Sequence, residues 1–108
     1  MKSIFYFRGN PIHTVRIEGE IMFSFEDVCR ALEIVYPKNV KKKLIYEFGL
    51  EKLPTVVLMD KWGRHTRHSF ITEPQMYFVM VRSKTSISQE FRRWVYAKVS
   101  PAIRGQIE

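Results

Sequence analysis

Residues 23–28 mark a handover from strand to helix. Ser24 is a favoured N-cap, Asp27 stands three residues on in the capping position, and Phe23 and Val28 fill the two places of a hydrophobic staple. Beyond that point Phe25, Val28, Cys29, Leu32 and Val35 recur at three- and four-residue steps. This spacing predicts an amphipathic helix over Ser24–Val35, which Pro37 prevents from continuing. Before the handover the period is two. Phe5 and Phe7, then Ile12, Val15 and Ile17, lie around the turn-forming Gly9-Asn10-Pro11, the pattern of a β-hairpin. A second turn at Gly19-Glu20 leads into Ile21-Met22-Phe23, the third strand of a small meander.

The same order repeats further along. Pro37 suits the first turn of another helix, in which Val40, Leu44 and Phe48 align on one side, Lys42 faces outward and Gly49 provides the stop. Thr55–Met59 and His65–Ile71 read as strands joined by Asp60-Lys61-Trp62-Gly63-Arg64, with Gly63 supplying the positive φ of a tight loop. Thr72 with Gln75 forms a capping box stapled by Ile71 and Met76, and it opens a helix carrying Met76, Tyr77, Met80 and Val81. Ser86 with Gln89 repeats that signature ahead of Ile87, Phe91, Trp94 and Val95. Pro101 restarts the chain for a last short turn, Ala102-Ile103-Arg104, before Gly105. A chain of 108 residues holds one core and not two. The expected architecture is therefore a single α+β domain, residues 1–108, of short β-hairpins packed against about four α-helices.

No apolar run approaches the roughly 20 residues that span a bilayer, and the start of the chain passes into aromatic alternation rather than a signal-peptide core. A cytoplasmic protein with no membrane partner is expected. The single cysteine, Cys29, has no internal disulfide partner and falls among Val28, Ala31 and Leu32, where a buried inert thiol is expected.

Charge gives the first functional signal. The net charge is +7, and a surplus of Lys and Arg draws polyanions. Residues 1–37 carry four Lys/Arg against five Asp/Glu, whereas residues 38–108 carry fourteen against six. The basic surface therefore belongs to the later two-thirds of the chain.

Catalytic signals are absent. No Gly-x-x-x-x-Gly-Lys, Gly-x-Gly-x-x-Gly or Gly-x-Ser-x-Gly string occurs, so no nucleotide-cofactor chemistry is indicated. Glu18, Glu20, Glu26 and Asp27 cluster early, but Asp27 is assigned to capping and the others to a strand or an exposed helix turn. His65 and His68 have the spacing of a metal pair on a helix, yet on a strand residues three apart point to opposite faces. The sequence is read as a non-enzyme with no catalytic residues, no metal and no cofactor.

From Phe23 onward, Phe-Ser-Phe-Glu-Asp-Val-Cys-Arg-Ala-Leu resembles the motif of the BRO family N-terminal domain, an aromatic shortly before Asp-Val-Cys-x-Ala-Leu. Phe70-Ile71-Thr72-Glu73 through Tyr77, Arg82-Ser83, Phe91-Arg92-Arg93-Trp94-Val95 and Pro101-Ala102-Ile103-Arg104 follow in the order and spacing of that family. The opening Phe5-Tyr6-Phe7 with His13-Thr14-Val15-Arg16 also looks like its first strands. Gln75-Met76 stands where the family tends to have Gly-Leu, and the aromatic after Pro-x-Ile-Arg is missing near Gly105-Gln106-Ile107. Members generally join such a domain to a variable C-terminal one, so the chain is expected to be a stand-alone version or a portion of a longer protein. The resemblance implies DNA binding in phage and viral proteins of the antirepressor type, and it is compatible with a homodimer.

The residues placed against DNA on this reading are Lys38, Lys41, Lys42 and Lys43 on one or so helical turns, Lys61, Trp62, Arg64 and Arg67 on the second hairpin, and Arg92 and Arg93 beside Phe91 and Trp94. Each has a plainer reading. The lysines could form a solvated helix face, and the hairpin could insert into a major groove or simply loop into solvent. Trp62 could stack on a base or fold back onto the sheet, and one of the two arginines could pair with Glu90. Arg82 and Ser83 match the family pattern but serve equally as a cap or ion pair. The rival function is a protein-interaction module that binds a repressor or host regulatory protein through Tyr46 and Trp62.

Overall fold

The computed structural model describes residues 2–107. Strands β1 (Lys2–Phe7), β2 (Asn10–Ile17) and β3 (Glu20–Ser24) form the expected meander. Its turns sit one residue earlier than the glycines and proline suggest. Arg8-Gly9 and Glu18-Gly19 are the two-residue loops, all four residues at positive φ (51°, 79°, 51° and 83°). Such loops match the twist of the strands they join, and the pairs Phe7↔Asn10 and Ile17↔Glu20 close them. Asn10 and Pro11 therefore belong to β2. Pro11 is tolerated because the β2–β3 ladder begins only at Thr14, so nothing stands on that side to need its missing N–H.

Helix α1 (Phe25–Ala31) starts at the predicted cap, Ser24 Oγ accepting from the Asp27 amide at 3.1 Å. It stops four residues short of the predicted Val35. Glu33 turns to φ 57°, and the Glu33 and Ile34 amides donate to the Arg30 and Cys29 carbonyls. This is a Schellman closure without a glycine, and it tucks Ile34 against the core while leaving Val35 76% exposed. Helix α2 (Pro37–Glu47) ends the same way with the expected Gly49, at φ 64°.

Strands β4 (Thr55–Met59) and β5 (His65–Ile71) form the second hairpin, and β5 reaches β3 through Phe23↔Ile71 and Ser24↔Phe70. The result is a five-stranded antiparallel sheet in the order β1-β2-β3-β5-β4. Thr72 caps α3 (Glu73–Met80) with both halves of the capping box formed, and its staple residues Ile71 and Met76 are fully buried. Val81 falls at the C-cap and is exposed rather than on the buried face.

Helix α4 (Thr85–Trp94) begins before Ser86, with Lys84 as N-cap and no side-chain cap. The tight closure of α3, in which Arg82 and Ser83 amides bond to Val79 and Met80, sets that start and puts Ser86 inside the first turn. Pro101 does not break the chain. A π-helical segment, Val95–Val99, joins α4 to α5 (Ser100–Ile107) without interruption. Its wider turn, with the Ser100 amide bonded to the Val95 carbonyl, makes room for a proline ring that would otherwise meet the carbonyl four residues before it. Counted as continuous rods, four helices accompany the sheet among the described residues.

The rods cover one sheet face. Phe7, Ile12, Phe23 and Ile71 from the strands meet Val28, Met80 and Phe91 from the helices in the main core, and Phe7 packs edge-on against Phe91 and Trp94 at 5.0 and 5.4 Å. The other face closes on itself. There Val15 and Met22 share a smaller cluster with Leu58 and Phe70 of the second hairpin, so the sheet curls and leaves a groove between β1–β2 and the hairpin tip. Among the described residues, no helix is long and apolar enough to cross a membrane.

Candidate nucleic-acid interface

The buried residues of α2 are Val40 and Leu44, which fixes where its lysines go. Lys38, Lys42 and Lys43 are exposed and have no ion pair among the described residues. Lys41 turns inward. Its ammonium donates to Ser69 Oγ at 3.0 Å, lies 3.5 Å from the Glu26 carboxylate and sits over the Phe25 ring. It is thereby withdrawn from the cationic face on which the sequence placed it. The turn between α3 and α4 replaces it: Arg82 joins Lys42, Lys43, Tyr46, Glu47 and Phe78 around one shallow depression, and Lys84 and Arg82 line a second with Lys43 and Glu33. Arg82 is the residue that spacing alone did not promote. It donates to the Phe78 carbonyl at 2.7 Å, at the C-terminal end of α3, and its guanidinium lies 3.5 Å from the centroid of the Phe78 ring. Helix-end geometry thus holds it against Phe78, beside the α2 lysines.

At the tip of the second hairpin, Asp60 organises the loop. One carboxylate oxygen accepts from the Trp62 and Arg64 amides, each at 2.9 Å, and the other from Arg64 Nε at 2.7 Å. Gly63 has the predicted positive φ, 81°. Desolvation alone would raise the Asp60 carboxyl, but the bonds from Arg64 and Trp62 together outweigh it and hold the group below the usual carboxylate range. Trp62 does not fold back onto the sheet. It is 68% exposed, with Lys61 Nζ and Arg64 Cζ at 4.6 and 4.8 Å from its ring centroid. Arg67 is exposed opposite Val57 on the outer face of the ladder. Arg92 and Arg93 project from α4 into solvent. Glu90 is engaged elsewhere, by a two-pronged contact with Arg8 of the first turn, so neither arginine takes it as an ion-pair partner.

The model of the BRO family N-terminal domain matches residues 11–101, from the second strand to the start of α5. This chain belongs to the BRO family. Among curated relatives, an uncharacterized protein of Haemophilus influenzae is 26% identical over 103 residues, covering 94% of this chain and 49% of that protein. A putative Bro-N domain-containing protein, 201R of invertebrate iridescent virus 6, is 30% identical over 115 residues, covering 89% of this chain and 27% of that protein. The Bro-N chain described here thus spans half or less of the relatives it matches. No solved structure matches significantly. Strand β1 precedes the matched region, although the opening aromatics resemble the family's first strand.

The Bro-N groove carries a polar cluster that the sequence did not reveal. Asp27, 1% exposed, does not complete a capping box with the Ser24 amide. Its carboxylate accepts from the His13 amide at 2.9 Å and the His13 ring Nδ1 at 2.7 Å, and Arg30 holds the other oxygen. Burial alone would raise this carboxyl, but the bonds from His13 and Arg30 outweigh it and hold the group low. His68 approaches the same oxygen, its Nδ1 3.9 Å away, and is 2.7 Å from Ser24 Oγ. His65, three residues earlier, is exposed, as opposite faces of a strand require. A pattern search by spacing could not find this cluster, because its members lie 14 and 41 positions apart and meet only through the curl of the sheet. Ser24 is fully buried and engaged as a cap, so it is not presented as a nucleophile.

Proposed function

We propose that this Bro-N domain is a non-enzymatic module that binds double-stranded DNA, mainly through phosphate contacts, within a phage or viral regulator of the antirepressor type. The observation that carries the proposal is the grouping of Lys42, Lys43, Arg82 and Lys84 around two depressions whose only carboxylates among the described residues, Glu33 and Glu47, lie beyond ion-pair distance of all four. Unpaired cations on a fixed surface neutralise backbone phosphates and release the counterions condensed on the polyanion, which drives association. The arginine is held by its own helix end against the Phe78 carbonyl and ring, which leaves its other N–H groups to contact phosphate.

The second hairpin is the candidate reader of sequence. A two-stranded ribbon fits the major groove, and this one presents Lys61, Arg64 and Trp62 at a tip stiffened by Asp60. Arg92, Arg93 and Lys38 are assigned to auxiliary phosphate contacts, and a homodimer would let two domains address symmetric half-sites.

A second reading has its own observation. Tyr46 is 87% exposed among the α2 lysines, and a repressor or host factor could use it with Trp62 as aromatic anchors. A mobility-shift assay with random duplex, phage operator and single-stranded competitors separates the two. Replacing Lys42, Lys43 and Arg82 together by alanine should abolish the shift of random duplex while leaving the circular dichroism spectrum intact. Unchanged duplex binding by that folded variant would discard the assignment.

A further inference from the structure

The DNA reading uses none of His13, Asp27 and His68, which reach one point from β2, α1 and β5. Their ligand atoms all lie within 4.8 Å of one another, at the wall of a groove of roughly 770 Å³. We propose that these three side chains bind a divalent transition-metal ion of the zinc class, through two imidazole nitrogens and one carboxylate oxygen, with a remaining coordination position open to the groove.

The donor set decides the class of ion. Imidazole suits zinc, copper, nickel and iron, whereas magnesium and calcium seek sets made of oxygen. The cluster also has the outer partners that metal ligands need. Arg30 holds one oxygen of Asp27, leaving the other directed at both histidines. The His68 ring is held at Nε2 by Thr66 Oγ1 at 3.2 Å, while its Nδ1, the nitrogen facing Asp27, is bonded to Ser24 Oγ at 2.7 Å, a bond that the metal would replace. Partners of this kind set ring orientation and tautomer at metal centres.

Without the ion, His13 and Asp27 share a proton across 2.7 Å. Coordination replaces that proton with the metal: the Nδ1 proton of His13 moves to Nε2, and Nδ1 and the carboxylate oxygen each donate a lone pair. Metal–ligand bonds of 2.0–2.2 Å place neighbouring ligand atoms roughly 3.3 Å apart. The 2.7 Å pair must open and the 3.9 Å pair must close by about half an ångström each, and the two imidazole nitrogens, the remaining pair of a set lying within 4.8 Å, must approach by up to roughly 1.5 Å, a movement that falls to rotation of the two histidine side chains. Three protein ligands with a fourth position facing solvent describe an exchangeable site rather than a closed structural one. Tyr6, Leu58 and Trp62 line the same groove, so whatever occupies that position would lie beside the hairpin tip.

The test is a titration of the tag-free, chelator-treated protein with cobalt(II), followed by its visible absorption, and with zinc chloride by calorimetry. A single equivalent should bind and give cobalt bands of an imidazole-containing site, while magnesium gives no heat. His68→Ala and His13→Ala should each weaken binding by more than the roughly 10–100-fold cost of losing an outer partner, and His65→Ala should leave it unchanged. If either alanine variant loses its native circular dichroism, His68→Gln and His13→Gln, which keep a hydrogen-bonding group, replace it. Absence of stoichiometric binding, or equal binding by the folded His13 and His68 variants, overturns the proposal. Binding that disappears with His65 overturns it as well.

Discussion

Asp27 concentrates more of the fold's polar bonding than any neighbour, since one buried carboxylate joins α1 to β2 through His13 and to its own helix through Arg30. An asparagine would keep one oxygen, able to serve His13 or Arg30 but not both, and would set an N–H donor against the other, so Asp27→Asn should cost about 2 kcal/mol at neutral pH, read from urea unfolding in the presence of EDTA. The pH dependence has a definite sign. The folded carboxyl is held below its unfolded value, so its contribution is complete above the ordinary aspartate range near pH ~4 and is lost as pH falls through the folded value. The stability gap between wild type and variant should therefore narrow on acidification; a gap that widened would mean the carboxyl is raised by its burial instead. Cys29 behaves in the opposite way. Burial, with Glu26 nearby and only Lys41 opposing, pushes its thiol up to about 12, so a thiol reagent at neutral pH should leave it unmodified until denaturant is added. Rapid labelling of the native protein would show that the helix face carrying Cys29 opens.

At the scale of elements, three non-glycine residues among those described carry the left-handed conformation: Arg8, Glu18 and Glu33. Glu33 ends α1 where glycine is the usual occupant, and nothing in the bonding of that turn needs its side chain. Glu33→Gly should accordingly stabilise the domain by about 0.5–1 kcal/mol, seen as a higher urea midpoint with unchanged slope. A lower midpoint would show that Glu33's attraction to the Arg8 guanidinium outweighs the backbone strain. These same residues explain where the elements were legible and where they were not. The Thr72–Gln75 box and the Ser24 and Gly49 boundaries follow from local bonding, and all three were readable. The Glu33 stop was not, because a glutamate at φ 57° is enforced by the burial of Ile34 rather than by its own preference. The π-helical passage through Pro101 was hidden for a related reason: packing of Val95, Val99 and Ile103 into the core holds together a rod that local rules would cut. The turns at Arg8 and Glu18 were misplaced by one residue because strand pairing, not the turn residues, fixes the register.

For the whole molecule, the sequence located the excess positive charge in the later two-thirds, but folding decides which of those cations can meet a partner. Lys41 shows the difference. It opens the run Lys41-Lys42-Lys43, yet it faces Glu26 and Ser69 while Lys42 and Lys43 face Arg82 across the α2–α3 contact. Counterion release makes this measurable, because each phosphate neutralised on B-DNA contributes about 0.9 to the slope of log affinity against log salt. Lys42→Ala and Lys43→Ala should each flatten that slope by about one contact's worth, as should Arg82→Ala, which sequence spacing did not single out. Lys41→Ala should leave the slope unchanged and instead lower the unfolding midpoint, since it removes a partner from a half-buried pair. If Lys41→Ala flattens the slope as much as Lys42→Ala does, then the internal pair opens on DNA and the binding face is wider than the free fold displays. If none of the four alters the slope, duplex affinity comes from the hairpin tip and α4, and the α2 face is left to the exposed Tyr46 and a protein partner.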